Sequence, residues 1–157
     1  FWWNTELETI SEYAFTGLEN LHELHLINSN VPSIPPRVFR PLTSLVLLEL
    51  EQNLLDYIDS RWFSTNRQLR QLMVNSNNIN ALHPSLLDLP QLNALFLQGN
   101  RCVNNIFFFT DSVSRENVRN SLRNCFDNYP ARKRRFILDV EGEITLFNDE
   151  NNNELFL

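Results

Sequence analysis

Aliphatic side chains recur through residues 1–102 at a spacing of about 24 positions, and this repeat constrains the fold more than any other feature. In each copy two aliphatic residues stand two positions apart, and a third precedes them by three positions. Complete copies begin at Leu21, Leu45 and Leu69, and an incomplete copy begins at Leu92. One period earlier, the same columns hold Trp2, Leu7, Ile10, Phe15 and Leu18. Because one copy cannot bury its apolar face alone, we expect the copies to stack on one another.

The leucine spacing predicts one short β-strand in each copy. Side chains two positions apart lie on the same face of a strand, so Leu48 and Leu50 point to the core and the residue between them points away. A polar residue follows each strand, and an asparagine amide at this place can pair backbone groups of the neighbouring copy. We predict that Asn53, Asn77 and Asn100 form such a ladder. Ser29 occupies the equivalent position in the first complete copy, where its shorter side chain weakens the ladder.

These residues resemble the leucine-rich-repeat pattern LxxLxLxxNxLxxL, and phenylalanines such as Phe39 and Phe63 resemble those of its typical extracellular class. The resemblance covers residues 1–102, about four to five repeats with the first one truncated. It implies an α/β repeat solenoid, an arc with parallel strands on its concave side and an irregular convex side. The chain begins within a strand of this pattern, so we expect upstream residues or a partner at that end.

Residues 103–130 are predicted to form a helical C-terminal cap. The segment from Asp111 to Phe126 has helical spacing of apolar residues, and Ser114 is a suitable N-cap. Cys102 and Cys125 flank this segment, which suggests a disulfide; two reduced core cysteines are the alternative. Extracellular members of the resembled family commonly end in a cysteine-bearing cap, usually with four cysteines where this chain has two.

The period stops after residue 130, and residues 131–157 are predicted to contain a basic linker, a hairpin and a polar tail. The hairpin is expected to join residues 136–140 and 144–147 around a turn at 141–143, with a flexible polar stretch over 148–154. The basic residues are Arg132, Lys133, Arg134 and Arg135. They are consistent with a solvated linker, a convertase-type cleavage site in a secreted protein, or a site for an anionic ligand such as a sulfated glycan.

Charge and composition exclude several classes of function. The net charge of −6 argues against general binding to nucleic acid or anionic membranes. The longest aliphatic or aromatic runs, such as Ile106 to Phe109, have four residues and are far shorter than the roughly 20 residues that span a bilayer. With only three glycines the chain has no glycine-rich phosphate loop.

Strand side chains that point away from the core form the candidate ligand-binding face. Parallel strands align these side chains in columns, and the central column is His25, Glu49, Met73 and Phe96. The flanking columns supply Leu47 and Gln71 on one side and Ile27, Glu51, Asn75 and Gln98 on the other. Several are apolar residues that the repeat does not require, and apolar groups rimmed by polar ones are typical of protein-binding surfaces. Coverage of this face by the tail, or no role at all, are the alternatives.

Catalytic interpretations are weaker. His22 and His25 are three positions apart, so on a strand they face opposite sides, and no third ligand at metal-site spacing accompanies them. Glu49 and Glu51 share a strand face, as two acid–base groups could, but no second catalytic motif is present. We therefore expect neither enzymatic activity nor a metal or cofactor.

The resemblance implies an extracellular module that binds a protein partner, similar to secreted insect proteins of innate immunity. A fragment of a Toll-like or adhesion receptor ectodomain is the first alternative. A structural protein that forms homo-oligomers through its N-terminal end is the second.

Overall fold

The computed structural model describes residues 9–59, 61–109, 114–131, 145–148 and 153–156. Four short strands lie side by side in parallel, one for each repeat. They are β1 (Glu23–His25), β2 (Leu47–Glu49), β4 (Gln71–Met73) and β6 (Ala94–Phe96). A second pair of parallel strands, β3 (Tyr57–Ile58) and β5 (Ala81–Leu82), lies further along two of the repeats. The predicted parallel-stranded solenoid is confirmed.

The repeat period sets the register of the main sheet. Leu24 pairs with Leu48, Leu48 with Leu72, and Leu72 with Leu95, so each leucine stands beside its equivalent in the next repeat. Between and beyond these strands the predicted aliphatic columns fill one continuous core. Leu18, in the first described turn, departs from this pattern because it is largely exposed at the end of the stack.

The convex side is built from turns, the two short strands and a 3-10 helix, Pro84–Asp88. Phe15, Phe39 and Phe63 stack there, with ring centroids 6.1 Å apart at each step. Trp62 meets two of these rings edge-on. Adjacent strands in a sheet lie only about 4.8 Å apart. Because the repeats are spaced more widely at the phenylalanines than at the sheet, the stack curves with the sheet on its inner side.

The asparagine ladder is confirmed. The Asn77 side-chain amide donates to the carbonyls of Leu50, at 2.8 Å in the preceding repeat, and Val74, at 3.1 Å in its own. Its oxygen accepts the Leu55 amide at 3.1 Å. Equivalent bonds are made by Asn53 and Asn100. Each asparagine thus ties two repeats together through backbone groups that are buried.

Ser29 shows what the ladder loses without the longer side chain. Its hydroxyl donates to the Ile27 carbonyl at 3.1 Å, within its own repeat, while its backbone amide is bonded by the Asn53 oxygen at 3.1 Å. Among the described residues the serine side chain therefore bonds to no other repeat. The strand of the preceding repeat in the pattern lies outside the described residues, so the weaker ladder expected here stays a prediction.

The residue before each ladder position turns the chain with a positive φ. These residues are Asn28, Gln52, Ser76 and Gly99. The first three donate their backbone amides to a carbonyl of the next repeat, at 2.8 to 3.0 Å. Among the described residues no further repeat follows the one that contains Gly99, and the side-chain oxygen of Asn104 accepts the Gly99 amide at 2.8 Å instead. Only glycine adopts this conformation without steric cost, which accounts for one of the few glycines.

A strand that the sequence analysis did not predict is the last strand at the C-terminal end of the sheet. Strand β7 (Ile106–Phe108) pairs antiparallel with β6, with Phe107 opposite Leu95. Phe107 is buried with the core, whereas Phe108 points to the opposite face and is 55% exposed. The segment 103–130, for which a helix was predicted only from Asp111 to Phe126, therefore begins with a fifth strand of the sheet.

The remainder of the cap is helical, as predicted. Helix α1 (Arg115–Ser121) begins after Ser114, whose hydroxyl accepts the Asn117 amide at 3.2 Å, and residues 123–131 form a second helical segment. The predicted start at Asp111 lies outside the described residues. Cys102 and Cys125 form the predicted disulfide. Val118, Leu122 and Cys125 are buried against the end of the repeat core.

Arg115 joins the cap to the convex side of the last complete repeat. Its guanidinium donates to the carbonyls of Leu87 at 2.5 Å, Leu89 at 3.1 Å and Leu92 at 3.1 Å. It also lies over the ring of Phe109, 4.9 Å from the centroid. One arginine thus pairs three carbonyls that a further repeat would otherwise cover.

The C-terminal segment contains a hairpin, and its first strand agrees with the predicted strand at 144–147. Strand β8 (Thr145–Asn148) pairs antiparallel with β9 (Asn153–Phe156). Asn153 and Glu154, expected in a flexible stretch, lie in a strand, because pairing with β8 satisfies their backbone in spite of polar side chains. The predicted first strand, 136–140, and the basic residues 132–135 lie outside the described residues. Within the described ranges no helix has the length and apolar character needed to cross a bilayer.

Replacing Asn77 by alanine should lower the free energy of unfolding by roughly 2–4 kcal/mol, because several buried backbone groups lose their partner at once. Equilibrium unfolding in urea measures the change. Asn78→Ala is the matched control, since its side chain makes none of the ladder bonds, and should change stability by less than about 0.5 kcal/mol. Equal losses in the two variants would contradict the ladder's role.

Replacing Arg115 by methionine should destabilise the cap by about 2 kcal/mol or more, because three carbonyls lose a charged donor. Amide hydrogen exchange, read in residues 84–131, should show faster opening of the cap than of the first repeats. Arg123→Met is the control, because Arg123 is exposed and, among the described residues, its side chain bonds only Asn120. Uniform acceleration along the chain would argue against a local role in capping.

Candidate functional site

The concave face of the five-stranded sheet presents the side chains that alternate with the core leucines. Strand pairing places His25 beside Glu49, Glu49 beside Met73 and Met73 beside Phe96, as the predicted central column requires. The column on one side runs Glu23, Leu47, Gln71 and Ala94. Strand β7 extends both columns, with Ile106 beside Phe96 and Phe108 beside Ala94.

The third predicted column is partly bonded to itself. Asn75 donates its side-chain amide to the Glu51 carboxylate at 2.5 Å, and its side-chain oxygen accepts the Gln98 backbone amide at 2.8 Å. Ile27 precedes them, half-buried, in the first repeat. These contacts hold Glu51 and Asn75 in fixed positions, so this column is a rigid polar margin of the face.

The N-terminal part of the face is acidic around one histidine. His25 Nδ1 lies 2.5 Å from a Glu49 carboxylate oxygen, and its Nε2 lies 3.5 Å from Glu23. Adjacent strands supply Glu23 and Glu49, so the histidine is held between two carboxylates. His22 precedes the strand and is exposed. The described part of the chain contains no group of three His, Cys, Asp or Glu side chains placed to hold a metal ion.

The C-terminal part of the face is apolar. Phe96 and Phe108 meet edge-to-face, with ring centroids 5.7 Å apart, and Met73 lies one strand further from the cap. Ile106 is half-buried beside them, and Ala94 fills the space beneath. We call Met73, Phe96, Ile106 and Phe108 the apolar patch. The backbone geometry of the repeat does not require large apolar side chains at these four positions. Their exposure is therefore not a consequence of the repeat fold.

Sequence analysis missed Ile106 and Phe108 because β7 lies after the last repeat and belongs to no column of the period. The only signal was the run from Ile106 to Phe109, whose continuous apolar character suits a strand buried on both sides or a helix equally well. The alternation appears only when Phe107 is seen to enter the core.

Asp59 and Arg61, two charged residues on the convex side, are paired with each other. Asp59, almost fully buried, accepts two bonds from the Arg61 side chain, at 2.9 and 2.8 Å. The hydrogen bond to Asp59 raises the pKa of Arg61 above its usual value, against the opposing effect of burial. His83 bonds Ser85 at 2.7 Å and caps the 3-10 helix. These contacts stabilise turns, and the concave face is the better candidate for a ligand.

Residues 3–55 and 47–101 match the family model described as "Leucine rich repeat", which is more than half of the chain. The chain is similar to the solved leucine-rich repeat domain of APL1B, with 24% identity, a TM-score of 0.58, and coverage of 60% of this chain and 28% of that one. It also resembles a chain of the LRIM1/APL1C complex, with 27% identity, a TM-score of 0.57, and coverage of 60% and 18%.

A third similar structure is the Drosophila complex of Toll with Spatzle, a hub in development and innate immunity, with 27% identity and a TM-score of 0.56. The match covers 57% of this chain and 12% of that one. This chain therefore spans less than a third of each of these insect relatives. From its repeat register, its asparagine ladder and these matches, the chain belongs to the leucine-rich-repeat family.

Proposed function

We propose that the chain is an extracellular recognition module that binds a protein partner through its concave face and catalyses no reaction of its own. The observation that carries this proposal is the apolar patch. It places solvent-accessible methionine, isoleucine and phenylalanine side chains on a face whose margin is polar, which is the composition of protein-binding surfaces.

The acidic N-terminal part of the concave face favours binding of a partner over catalysis. Glu49 is bonded to His25 and Glu51 to Asn75, so the two carboxylates considered as an acid–base pair have structural partners. A partner with an apolar anchor for the patch and a basic group for the acidic half would complement both. The predicted contact residues on this face are His25, Ile27, Leu47, Glu49, Glu51, Gln71, Met73, Asn75, Phe96 and Gln98, to which the structure adds Ile106 and Phe108.

Two observations support an extracellular setting. The Cys102–Cys125 disulfide is the kind of bond that persists in oxidising compartments. The similar structures include Toll with Spatzle and LRIM1 with APL1C, both of them protein complexes. By this similarity we assign the chain to insect innate immunity as a secreted protein.

The resemblance to a Toll chain also favours a second candidate, a fragment of a receptor ectodomain. The sequence of the complete precursor separates the two, because a receptor requires a downstream apolar stretch of roughly 20 residues. Cleavage after Arg135 or anion binding at residues 132–135 stays a prediction, which mass spectrometry of the secreted protein tests.

Replacing both Met73 and Phe96 by glutamate should weaken partner binding by roughly a hundredfold or more, because two side chains at the centre of the patch become charged. The measurement is capture of partners from insect extracellular fluid on immobilised protein, followed by titration of each captured protein. Both residues are half-exposed, so the variant should remain folded, as circular dichroism can verify.

The control is Tyr13→Glu, which introduces one of the same acidic residues at a side chain that is 76% exposed in a turn outside the sheet. A protein captured by the wild type and the control, and not by the double variant, supports the proposal. Equal capture by all three would remove the concave face as the binding site.

A further inference from the structure

We propose that β7 is an association strand, at which two copies of this chain join by antiparallel pairing of their β7 strands. This goes beyond the proposed function, which concerns a different protein bound on the concave face. The second copy is the occupant of a sheet edge to which no other described strand is paired.

The hydrogen-bond pattern of β7 shows which backbone groups face outward. The Leu97 amide donates to the Asn105 carbonyl at 2.9 Å, and the Phe109 amide donates to the Asn93 carbonyl at 2.9 Å. In an antiparallel pair such bonded positions alternate, so residues 105, 107 and 109 face β6. The N–H and C=O groups of Ile106 and Phe108 therefore point away from the sheet. No hydrogen bond to them occurs in the described part of the chain.

The outward-facing N–H and C=O groups of one copy can pair with the same groups of a second copy. A two-fold axis at Phe107 places Ile106 of one copy opposite Phe108 of the other. The N–H of each residue then meets the C=O of its counterpart, in both directions. Such a contact is isologous and closes on itself as a dimer. The same axis brings the Phe108 ring of each copy beside the Ile106 side chain of the other, on the concave side.

Charge favours a second copy at this end of the sheet. The segment from Asn104 to Phe109 has no charged residue, although the chain carries a net charge of −6. The acidic residues of the face lie on and beside β1 and β2, at the far end of the sheet. Pairing through β7 keeps the two acidic ends several strand spacings from the seam, roughly 40 Å from each other and well beyond the Debye length of about 8 Å.

Strand β7 also lacks the charged side chains and the proline that often prevent strand pairing at a sheet edge. Natural sheet edges often carry lysine, proline or an inward-pointing charge. Strand β7 carries isoleucine and phenylalanine, and it is as long as the strand that it pairs with. Pairing would join two five-stranded sheets into one surface, with the two apolar patches adjacent at its centre.

Site-specific cross-linking of the full chain tests the register directly. Ile106→Cys and Phe108→Cys variants are prepared separately, mixed and oxidised, with the Cys102–Cys125 disulfide verified by mass mapping. In the proposed register residues 106 and 108 of different copies have Cα atoms about 5.5 Å apart, within disulfide range. The mixture should form covalent dimers containing one chain of each kind, whereas either variant alone should form few.

Sedimentation velocity over a concentration series measures the association itself. The wild type should show a reversible dimer, and Ile106→Pro and Phe108→Lys should each raise its dissociation constant by at least about tenfold. The proline removes only an outward-facing N–H, so pairing with β6 is retained. Met73→Glu is the control, because it alters the apolar patch away from the seam and should leave the dimer intact.

A wild type that stays monomeric at every concentration overturns the proposal. Cross-linking that is as efficient for one variant alone as for the mixture, or a dimer insensitive to both seam variants, would also overturn it and indicate another surface, such as the N-terminal end. Because Met73→Glu affects the proposed partner contact and not the seam, failure of the dimer is distinguishable from failure of partner binding.

Discussion

The structure depends on the pairing of backbone groups that stacking of the repeats removes from water. Each turn after a strand leaves carbonyls and amides inside the stack, and an unpaired buried backbone group costs about as much as a lost hydrogen bond. Asn53, Asn77 and Asn100 meet this need because one amide side chain both donates to and accepts from two repeats. The leucine columns supply the apolar contact, but they are non-directional. The asparagines fix the register in which the leucines meet.

The same requirement explains the cap. At the last repeat no further turn is available, and the chain substitutes side chains for the missing backbone: Asn104 bonds the Gly99 amide, and Arg115 bonds three convex carbonyls. Strand β7 pairs with β6 in the position that the strand of a further repeat would occupy. Because β7 runs antiparallel and stops the period, it completes the inner bonding of the sheet, and no other described strand pairs with its outer edge. Capping the core and exposing an edge are thus two consequences of one strand.

Features that follow from the repeat could be predicted from sequence. A period specifies which residues share a column, so the core leucines, the ladder and the concave columns were identified without coordinates. Features that occur only once in the chain could not be predicted from the sequence. Strand β7 was missed because its apolar run has no period, and Arg115 because its partners are more than twenty positions away and are backbone atoms, which no sequence pattern marks. In the tail, the strand at 145–148 was predicted but its partner at 153–156 was not, because β-propensity in short segments depends on what each segment pairs with.

The scaffold also determines where recognition can vary. Residues of the third column are bonded across repeats, as between Glu51 and Asn75, so changing one of them disturbs its neighbours. Met73 and Phe96 in the central column have no such bonds to lose, and their exchange alters surface chemistry with little effect on the stack. At the N-terminal end of the same column, His25 and Glu49 are bonded to each other and form a coupled pair. The freedom to specify a partner is therefore greatest near the cap, where the apolar patch lies and where β7 adds side chains that the repeat does not constrain.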